Sequence, residues 1–530
     1  MSDEVISQEA ERIMGKTAQR NNILAARILS ETVKTTLGPK GMDKMLVNRS
    51  GEVIITNDGV TILEEMEIEH PAAKMLVEVA KTQEQEVGDG TTTAVMLAGK
   101  LLENAENLLD KKIHPTVITK GYRLAQQKSI EILKSISHEV NDETELRQVA
   151  QTAMTGKGAE YMKEKFSKII VDAVKVIAEG TQFNSNDIRI EKQRGESIEQ
   201  TELVRGIILD KERVSIEMPL QIQDAKIALI EEALEIRSPE MEAKISVASP
   251  DQLQSFLNQE DIILKDKVDK IKSTGANVII CQKGIDEVVQ FYLSKANIFA
   301  IRRVAKSDIQ AISKATGAKI ISKLSEITEE DLGSAQKVEE KQESDQGFTY
   351  ITGCANPRTL TILIRGGSGH VMDEIQRAIE DALGDVSAIL KDSKVVAGGG
   401  ATEIEVSRQL KQYAQTLAGR EQLAVEEFAK ALEFIPTTLA ENAGLDPIDV
   451  LTELKSTHDA NYSNQGLNLF TSKIEDTLKC GIIEPLKVKT QAISSATEVA
   501  IMILRIDDVI AAKQKGGHSL TNPSGMIDYE

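Results

Sequence analysis

The chain has 530 residues, more than a single hydrophobic core usually serves, so roughly two to four domains are expected. Its 41% hydrophobic and 28% charged residues are typical of a soluble globular protein, and only 11 prolines favour a helix-rich fold. A formal net charge of −20 argues against nucleic acid and anionic membranes as partners, because no basic excess exists to meet phosphate groups.

Cysteine and histidine usage excludes two further kinds of site. The three cysteines (Cys281, Cys354 and Cys480) are far apart and the six histidines have no metal-ligand spacing, so neither disulfides nor a zinc site are expected. The acidic amino terminus lacks a signal-peptide core, and no apolar run approaches the ~18 residues of a membrane span. We predict a cytoplasmic location.

The amino-terminal part is predicted to be mostly helical, with one β-hairpin. Two apolar runs, Val53–Thr56 and residues 60–63, flank the sequence Asn-Asp-Gly at 57–59, which is a strong turn signal. Pro71 is predicted to start a helix that runs toward Gly88, because apolar residues then recur at helical spacing.

Residues 88–93, with the sequence GDGTTT, form the most informative motif of the chain. They open onto a predicted apolar helix at 94–102, whose first turn offers unpaired N–H groups and a positive dipole end. Glycines let the backbone approach an anion, threonine hydroxyls donate to phosphate oxygens, and Asp89 is placed to hold Mg²⁺. An ordinary capped loop is the alternative interpretation.

The middle of the chain alternates between strands and helices. A helix at 166–177 precedes this part, and a helix starting near Pro250 ends at Gly275. The following predicted elements are a strand at 277–281, a helix at 286–295, a strand at 299–304, a helix at 307–316 and a strand at 319–322. This alternation predicts a small, mainly parallel sheet with crossover helices, and the acidic segment 325–346 is predicted to be a solvated loop with some helix.

The last third resembles the first in character. A strand at 359–365 leads into a long helix, glycines at 398–400 open another helical region, and residues 505–510 are strand-like. We therefore expect the chain to leave its first domain and return to it.

Two other catalytic signatures fail. Gly15-Lys16-Thr17 resembles the end of a Walker motif, but Ala10 replaces its first glycine and no strand is predicted before it. No GxSxG element is present for a serine-hydrolase elbow.

Acidic residues near glycine turns remain as candidates for chemistry. Taken alone, Asp58 is interpreted as a turn-former and Asp381 as part of a solvated helix face. Gly38-Pro39 alone is a tight turn, and the glycines at 398–400 alone form a strand-to-helix joint.

Together, however, these segments resemble the group II chaperonins, and the archaeal members most closely. The matching motifs are LGPKGMDKM at 37–45, TNDGVT at 56–61, GDGTTT at 88–93, TGKG at 155–158, LIRGG at 363–367, EDAL at 380–383, VAGGG at 396–400, EPLKVKTQ at 484–491 and ILRIDD at 503–508. Their order and separation cover nearly the whole chain.

The resemblance implies a multidomain α/β and α+β fold with three domains. A mostly helical equatorial domain would comprise 1–145 and 399–530, a small intermediate domain 146–213 and 364–398, and an α/β apical domain 214–363. Subunits of this family form two back-to-back rings of eight or nine, homo- or hetero-oligomeric, that enclose unfolded or non-native protein clients.

The resemblance also assigns the site. With ATP or ADP as the bound nucleotide, Asp89 would bind Mg²⁺, and Asp381 and Asp58 would orient and polarise the attacking water. Lys157 would sense the γ-phosphate end of ATP. Phosphate contacts are expected from Gly38, Pro39, Gly90, Thr91, Thr92 and Thr93, and nucleoside contacts from Gly399 and Glu484. Potassium at the phosphate site is left open. Phosphoryl transfer needs such positioning and charge neutralisation more than covalent chemistry.

A helical lid protrusion is expected at 237–271. Leu253, Phe256 and Leu257 are predicted to touch neighbouring lids or clients, and the alternative is that they are core residues of an amphipathic helix. Two segments depart from the family pattern, Val214 to Pro219 and the tail from Lys515 to Glu530, which leaves their surface roles undetermined.

Two rival functions belong to other classes. A ring scaffold or holdase would bind clients without turnover, but it would have no need of Asp58, Asp89, Lys157 and Asp381 together. A stand-alone small-molecule kinase leaves the apical insert unexplained.

Overall fold

The computed structural model describes residues 10–48, 51, 53–140, 142–177, 188–195, 197–236, 250–343, 346–354 and 359–512. The chain forms two compact units, of which the first comprises Met1–Val171 and Asp373–Glu530 and the second Asp172–Met372. The second unit is thus inserted into the first. The division into three domains stays a prediction.

The amino-terminal part of the first unit is mainly helical, and its last helix continues into the second unit. Its elements are β1 (Ala10–Met14), α1 (Gly15–Lys34), β2 (Lys44–Val47), β3 (Val53–Thr56), α2 (Gly59–Glu65), α3 (Pro71–Val87), α4 (Thr91–Asp110), α5 (Pro115–Ile136), β4 (His138–Glu139), α6 (Glu143–Met154) and α7 (Lys163–Ile177).

The second unit alternates strands and helices, and its last helix returns to the first unit. Its elements are β5 (Ile188–Arg194), β6 (Glu202–Val204), β7 (Gly206–Leu209), β8 (Gln221–Ile230), α8 (Pro250–Ser273), β9 (Val278–Cys281), α9 (Glu287–Lys295), β10 (Phe299–Ile301), α10 (Lys306–Thr316), β11 (Ile320–Ile321), β12 (Gly333–Glu343), β13 (Gln346–Cys354), β14 (Leu360–Gly366) and α11 (Gly369–Asp392).

The carboxy-terminal part completes the first unit. Its elements are β15 (Lys394–Ala397), α12 (Ala401–Thr416), α13 (Glu421–Leu432), α14 (Phe434–Asn442), α15 (Pro447–Asp459), β16 (Gln465–Asn468), β17 (Lys473–Asp476), β18 (Ile483–Pro485), α16 (Leu486–Leu504) and β19 (Asp508–Ala512).

Helix α4 lies at the centre of the first unit, packed by α1, α3, α13 and α16. Its residues from Ala94 to Gly99 are all buried, so its small and branched apolar side chains face neighbours on every side. A Cβ atom at Gly99 would collide with the Ser30 hydroxyl on α1, and only glycine permits this close helix approach. The rigid core therefore holds the amino terminus of α4 in place.

Short sheets join distant parts of the first unit. Strand β15 lies between β18 and β4, and its Val396 pairs with Glu484 on β18. Strand β1 pairs with β19 in antiparallel register, from Ala10 opposite Ala512 to Met14 opposite Asp508. The two chain ends are therefore tied to one another.

The second unit contains a seven-stranded sheet of order β10-β9-β8-β12-β13-β7, with β11 beside β8. The pairs among β10, β9, β8 and β11 are parallel, while the pairs from β8 through β12 and β13 to β7 are antiparallel. The prediction of a mainly parallel sheet is therefore wrong for half of the pairings. A separate three-stranded sheet has the order β5-β14-β6.

The prediction of a loop with some helix at 325–346 is right for its first part, which contains the 3₁₀ turns Leu324–Glu326 and Glu329–Asp331. It is wrong for the second part, because strand β12 begins at Gly333. Ala335 and Val338 of β12 are buried, and β12 pairs on both sides, with β8 and β13. The many charges of the segment predict exposure and do not show these two long-range pairings.

The predicted hairpin at 53–63 is also wrong. Strand β3 pairs with β2, while residues 60–63 belong to helix α2. The side chain of Asp58 accepts a hydrogen bond from the Thr61 N–H, so Asn-Asp-Gly here caps a helix instead of turning a hairpin.

The expectation that no strand precedes the Walker-like Gly15-Lys16-Thr17 is wrong as well, because β1 ends at Met14. Ala10 at the first glycine position still excludes a P-loop. In the part of the chain that the structure describes, no helix is both long and apolar enough to cross a lipid bilayer.

Candidate active site

One cleft in the first unit brings together most of the predicted site residues. It contains about 1240 Å³ of space free of protein atoms, including its open mouth. The predicted residues that line it are Gly38, Pro39, Asp58, Asp89, Gly90, Thr91, Thr92, Thr93, Lys157, Gly399 and Glu484. Asp381 is not among the described residues of this lining, although it contacts one of them.

The turn at 88–93 has the backbone conformation that its glycines predict. Gly88 (φ 94°) ends α3 and Gly90 (φ 79°) precedes α4, both in the left-handed region that glycine adopts without strain. The Asp89 Oδ1 atom accepts a hydrogen bond from the Gly90 N–H at 2.7 Å, and the buried Gln83 donates to the Asp89 carbonyl at 2.8 Å. The amino terminus of α4 therefore faces the cleft through a fixed turn.

The turn before α2 packs against this first turn of α4. Asp58 uses Oδ2 to accept from the N–H and the hydroxyl of Thr61, at 2.8 and 2.7 Å. A Cβ atom at Gly59 would lie 2.7 Å from the Thr92 hydroxyl, so a larger residue would push the two helices apart. Asp58 thus lines the cleft as a helix cap with a fixed carboxylate.

The segment that carries Lys157 is held against two other parts of the cleft. The Asn57 amide donates to the Gly156 carbonyl at 2.8 Å. A Cβ atom at Gly156 would lie 2.6 Å from the Pro39 Cα atom, so the loops at 38–39 and 155–158 are in backbone contact. The Gly158 N–H donates to Glu374 Oε1 at 2.7 Å, which fixes the far side of the segment to α11.

Lys157 forms an ion pair and hydrogen bond with Asp381, and its Nζ atom lies 3.8 Å from Asp89 Oδ1. Burial alone would lower the pKa of Lys157, but the carboxylates of Asp381 and Asp89 raise it, so the ammonium stays charged. Burial raises the pKa of Asp381 to about 8 despite Lys157, with contributions from Asp89 and Asp58. The Lys157 ammonium thus interacts with the carboxylates of both Asp381 and Asp89.

A second lysine, Lys489, also lines the cleft. The Lys489 Nζ atom lies 2.7 Å from Glu484 Oε2 and 2.8 Å from Glu403 Oε1. Burial raises the pKa of Glu484, and the opposing charge of Lys489 limits the rise. Gly399 (φ 64°) accepts a hydrogen bond from the Leu467 N–H at 2.8 Å and needs its glycine because a Cβ atom would lie 2.6 Å from the Leu467 carbonyl.

An apolar wall also lines the cleft. Its side chains are Ile435, Leu439, Leu467, Leu469, Phe470 and Ile482. The Phe470 ring is half exposed and carries the Lys163 ammonium 4.6 Å from its centroid. The lining of the cleft therefore has two kinds of surface. One consists of helix N–H groups, carboxylates and lysines, and the other is the apolar wall, which suits a flat apolar group.

Sequence reasoning missed several residues of this site. Asn57 and Lys489 line the cleft and lie inside the motifs TNDGVT and EPLKVKTQ. In these motifs only Asp58 and Glu484 are predicted to be site residues. Asp385 also lines the cleft and follows Asp381 by one helical turn on α11. Helical spacing, which puts positions i and i+4 on one face, is the signal that could have found it.

These features are typical of a class of protein, the enzymes that act on a nucleotide: a glycine-rich turn at a helix amino terminus, several carboxylates and an apolar wall line one cleft. The TCP-1/cpn60 chaperonin family model matches residues 29–514. The chain is 55% identical over 523 residues to thermosome subunit beta of Archaeoglobus fulgidus, covering 97% of this chain and 96% of that one.

Two further relatives match at the same level. A thermosome subunit of Methanopyrus kandleri is 54% identical over 516 residues, covering 96% of this chain and 95% of the relative. A thermosome subunit of Pyrococcus horikoshii is 53% identical over 529 residues, covering 97% and 96%.

The chain belongs to the TCP-1/cpn60 chaperonin family and is a group II chaperonin. Members of this family use ATP hydrolysis to fold other proteins, and that is the function of this chain.

Proposed function

We propose that the cleft binds ATP or ADP with Mg²⁺ and hydrolyses ATP through the residues around Lys157. The observation that carries this proposal is the contact of Lys157 with both Asp381 and Asp89 beside the amino terminus of α4. Phosphate oxygens would accept hydrogen bonds from the N–H groups of Gly90 to Thr93, from the threonine hydroxyls and from the Gly38 N–H. Pro39 has no N–H and would contact the phosphate only through its ring.

The donor set at this end fits a divalent ion. Asp89 offers a carboxylate whose Oδ1 is already oriented by the Gly90 N–H, and Mg²⁺ prefers one or two carboxylates together with phosphate oxygens. When bound, the ion neutralises charge on the phosphates as the terminal bond breaks. A potassium ion at the same end stays an open proposal.

Asp381 is the proposed base, with Asp58 as its partner in orienting the attacking water. The raised pKa of Asp381 suits proton acceptance near neutral pH. Its carboxylate is held by Lys157, and a bound γ-phosphate competes for that ammonium, which would release Asp381 toward the water. The fixed Asp58 carboxylate would polarise the water from the α2 side.

Gly399 and Glu484 are the proposed nucleoside contacts. Gly399 lines the cleft, where its backbone would contact the ribose, and the apolar wall that includes Phe470 would accept the base. The Oε2 atom of Glu484 is paired with Lys489, so a contact with the ribose would use the other carboxylate oxygen, Oε1.

The larger assembly also belongs to the proposal. We infer that subunits with equatorial, intermediate and apical domains form double rings of eight or nine and enclose non-native clients under a built-in lid in the cytoplasm. On α8, Phe256 and Leu257 are 41% and 50% exposed, which supports a client or lid surface over the core alternative. The side chain of Leu253, residues 237–249 and the tail from Lys515 lie outside the described residues.

The test is the refolding of a chemically denatured model enzyme by the assembled protein with Mg²⁺ and either ATP or ADP. We expect recovery of client activity with ATP and client retention without recovery with ADP. Retention with both nucleotides, and no phosphate release from ATP, would instead establish the holdase or scaffold function.

A further inference from the structure

Asp385 is a buried carboxylate in the cleft that no sequence motif indicated. The residue is 3% exposed, lies on α11 and lines the same cleft as Asp89. Its Oδ1 atom is fully buried and accepts no hydrogen bond from any described residue. A buried carboxylate oxygen without a partner destabilises the folded protein unless a cation or a hydrogen-bond donor reaches it.

A contact between two glycines brings this carboxylate to the phosphate turn. A Cβ atom at Gly88 would lie 2.9 Å from the Gly384 Cα atom, and one at Gly384 would lie 2.6 Å from the Val87 carbonyl. Each glycine is followed directly by an aspartate, Asp89 on the turn and Asp385 on the helix. The close backbone approach therefore places both carboxylates at one wall of the cleft.

Among the described residues, no lysine, arginine or histidine donates a hydrogen bond to Oδ1 of Asp385. Burial raises its pKa well above the ordinary value, and Asp89 and Glu484 raise it further, while Lys157 opposes them. Lys157, however, is already paired with Asp381. Asp385 thus has an unpartnered oxygen, lies among other acidic groups and is close to Asp89. This environment favours binding of a cation at the carboxylate.

We propose that Asp385 is a second carboxylate ligand, with Asp89, of the divalent ion that accompanies the nucleotide. This inference rests on the proposed function of the cleft. Among the described residues, no three acidic, histidine or cysteine side chains converge on a common metal position. Phosphate oxygens and water must therefore complete the coordination, which is how Mg²⁺ is usually held in nucleotide sites. Contact through a metal-bound water serves the same role.

The test measures Mg²⁺ linkage and needs no hydrolysis. ADP binding to the assembled protein is followed by calorimetry from EDTA to saturating Mg²⁺ for the wild type, Asp385→Asn and Glu380→Gln. Glu380 is an exposed carboxylate of the same helix and provides the matched control. We expect Asp385→Asn to raise the Mg²⁺ concentration for half-maximal ADP binding by about 10- to 100-fold, with Glu380→Gln unchanged.

The outcomes separate this inference from the proposed function. An Asp385→Asn protein with the wild-type Mg²⁺ midpoint would overturn the inference, as would a change confined to K⁺ dependence. A wild type that binds no ADP, or binds it equally in EDTA, would overturn the nucleotide site itself. If Asp385→Asn does not assemble, Asp385→Ser is measured in its place, with assembly checked by light scattering.

Discussion

At the scale of single residues, the cleft is organised by two lysines that each bridge carboxylates. Lys157 contacts Asp381 and Asp89, and Lys489 contacts Glu403 and Glu484. Such buried networks are costly when one member is removed, because the remaining charge loses its partner. The arrangement keeps acidic groups close together where a phosphate and a cation are proposed to bind.

The pKa of Asp381 leads to a prediction about the pH dependence of hydrolysis. Burial raises this pKa to about 8, and a general base works only when deprotonated. Because kcat/KM reports ionisation in the free enzyme, we expect kcat/KM for ATP at saturating Mg²⁺ to rise from pH 6 to about 8 and then level off. Steady-state phosphate release measures the profile. If Asp381→Asn shows the same rising limb, another group titrates.

A second titration prediction concerns stability. Glu405 is 2% exposed, lies 2.9 Å from His458 Nδ1 and accepts from Arg408 and Gln409. Burial alone would raise its pKa, but these hydrogen bonds lower it to about 2. Because the folded-state pKa lies below the unfolded one, the stabilisation is present above about pH 4.5 and is lost as pH falls toward 2, an effect of roughly 3 kcal/mol.

The comparison uses Glu405→Gln beside Glu453→Gln, an exposed carboxylate of α15. Denaturant unfolding at pH 7 should show Glu405→Gln less stable than wild type by a few kcal/mol, on the order of the linkage above. The difference should shrink on acidification to pH 3. A constant difference at both pH values would contradict the assigned linkage.

At the scale of elements, the contact of α11 with the turn after α3 controls the site. Gly384→Ala would set a Cβ atom against backbone that cannot move aside, at 2.6 Å from the Val87 carbonyl. We expect a net loss of about 1–3 kcal/mol despite the better helix propensity of alanine, together with weaker ADP binding. Gly367→Ala, with no atom within 4 Å of the added carbon, is the control in thermal melts and calorimetry. Equal melting temperatures would refute the close contact.

The sequence predicted elements well where the signal was local. Proline at the start, apolar spacing and Gly88 at the end identified α3, and GDGTTT identified the start of α4. Asn-Asp-Gly at 57–59 misled, because the same residues favour a hairpin turn and a helix cap, and only the partner of β3 distinguishes them. The turn signal at 57–59 contains no information about that partner, because β2 (Lys44–Val47) lies earlier in the chain.

Long-range pairing explains the other failures. Strand β12 carries many charges and is defined by ladders to β8 and β13, which no local pattern shows. In the site, motifs identified every predicted residue of the lining. Asp385 lies outside those motifs, and its position beside Asp89 depends on the contact of Gly384 with Gly88. Contacts between residues hundreds of positions apart are what the sequence alone did not provide.

At the scale of the whole molecule, the proposed assembly makes a prediction about size. Two rings of eight or nine 58.0 kDa chains have a mass of about 1 MDa, whereas a kinase of this length would elute as a monomer or small oligomer. Size-exclusion chromatography with light scattering at low micromolar concentration measures it. A mass that stays at one or two chains would contradict the ring.

The most direct measurement of the proposed mechanism compares ATP hydrolysis and ADP binding in the assembled wild type and Asp381→Asn, with Mg²⁺ present. Loss of a positioned base costs about 10²- to 10⁴-fold in rate. We expect a drop of that size in kcat with ADP affinity changed by less than about tenfold, since Asp381 stands behind Lys157 and outside the cleft lining. Equal hydrolysis by both proteins would show that Asp381 is not the base and that the cleft works in another way.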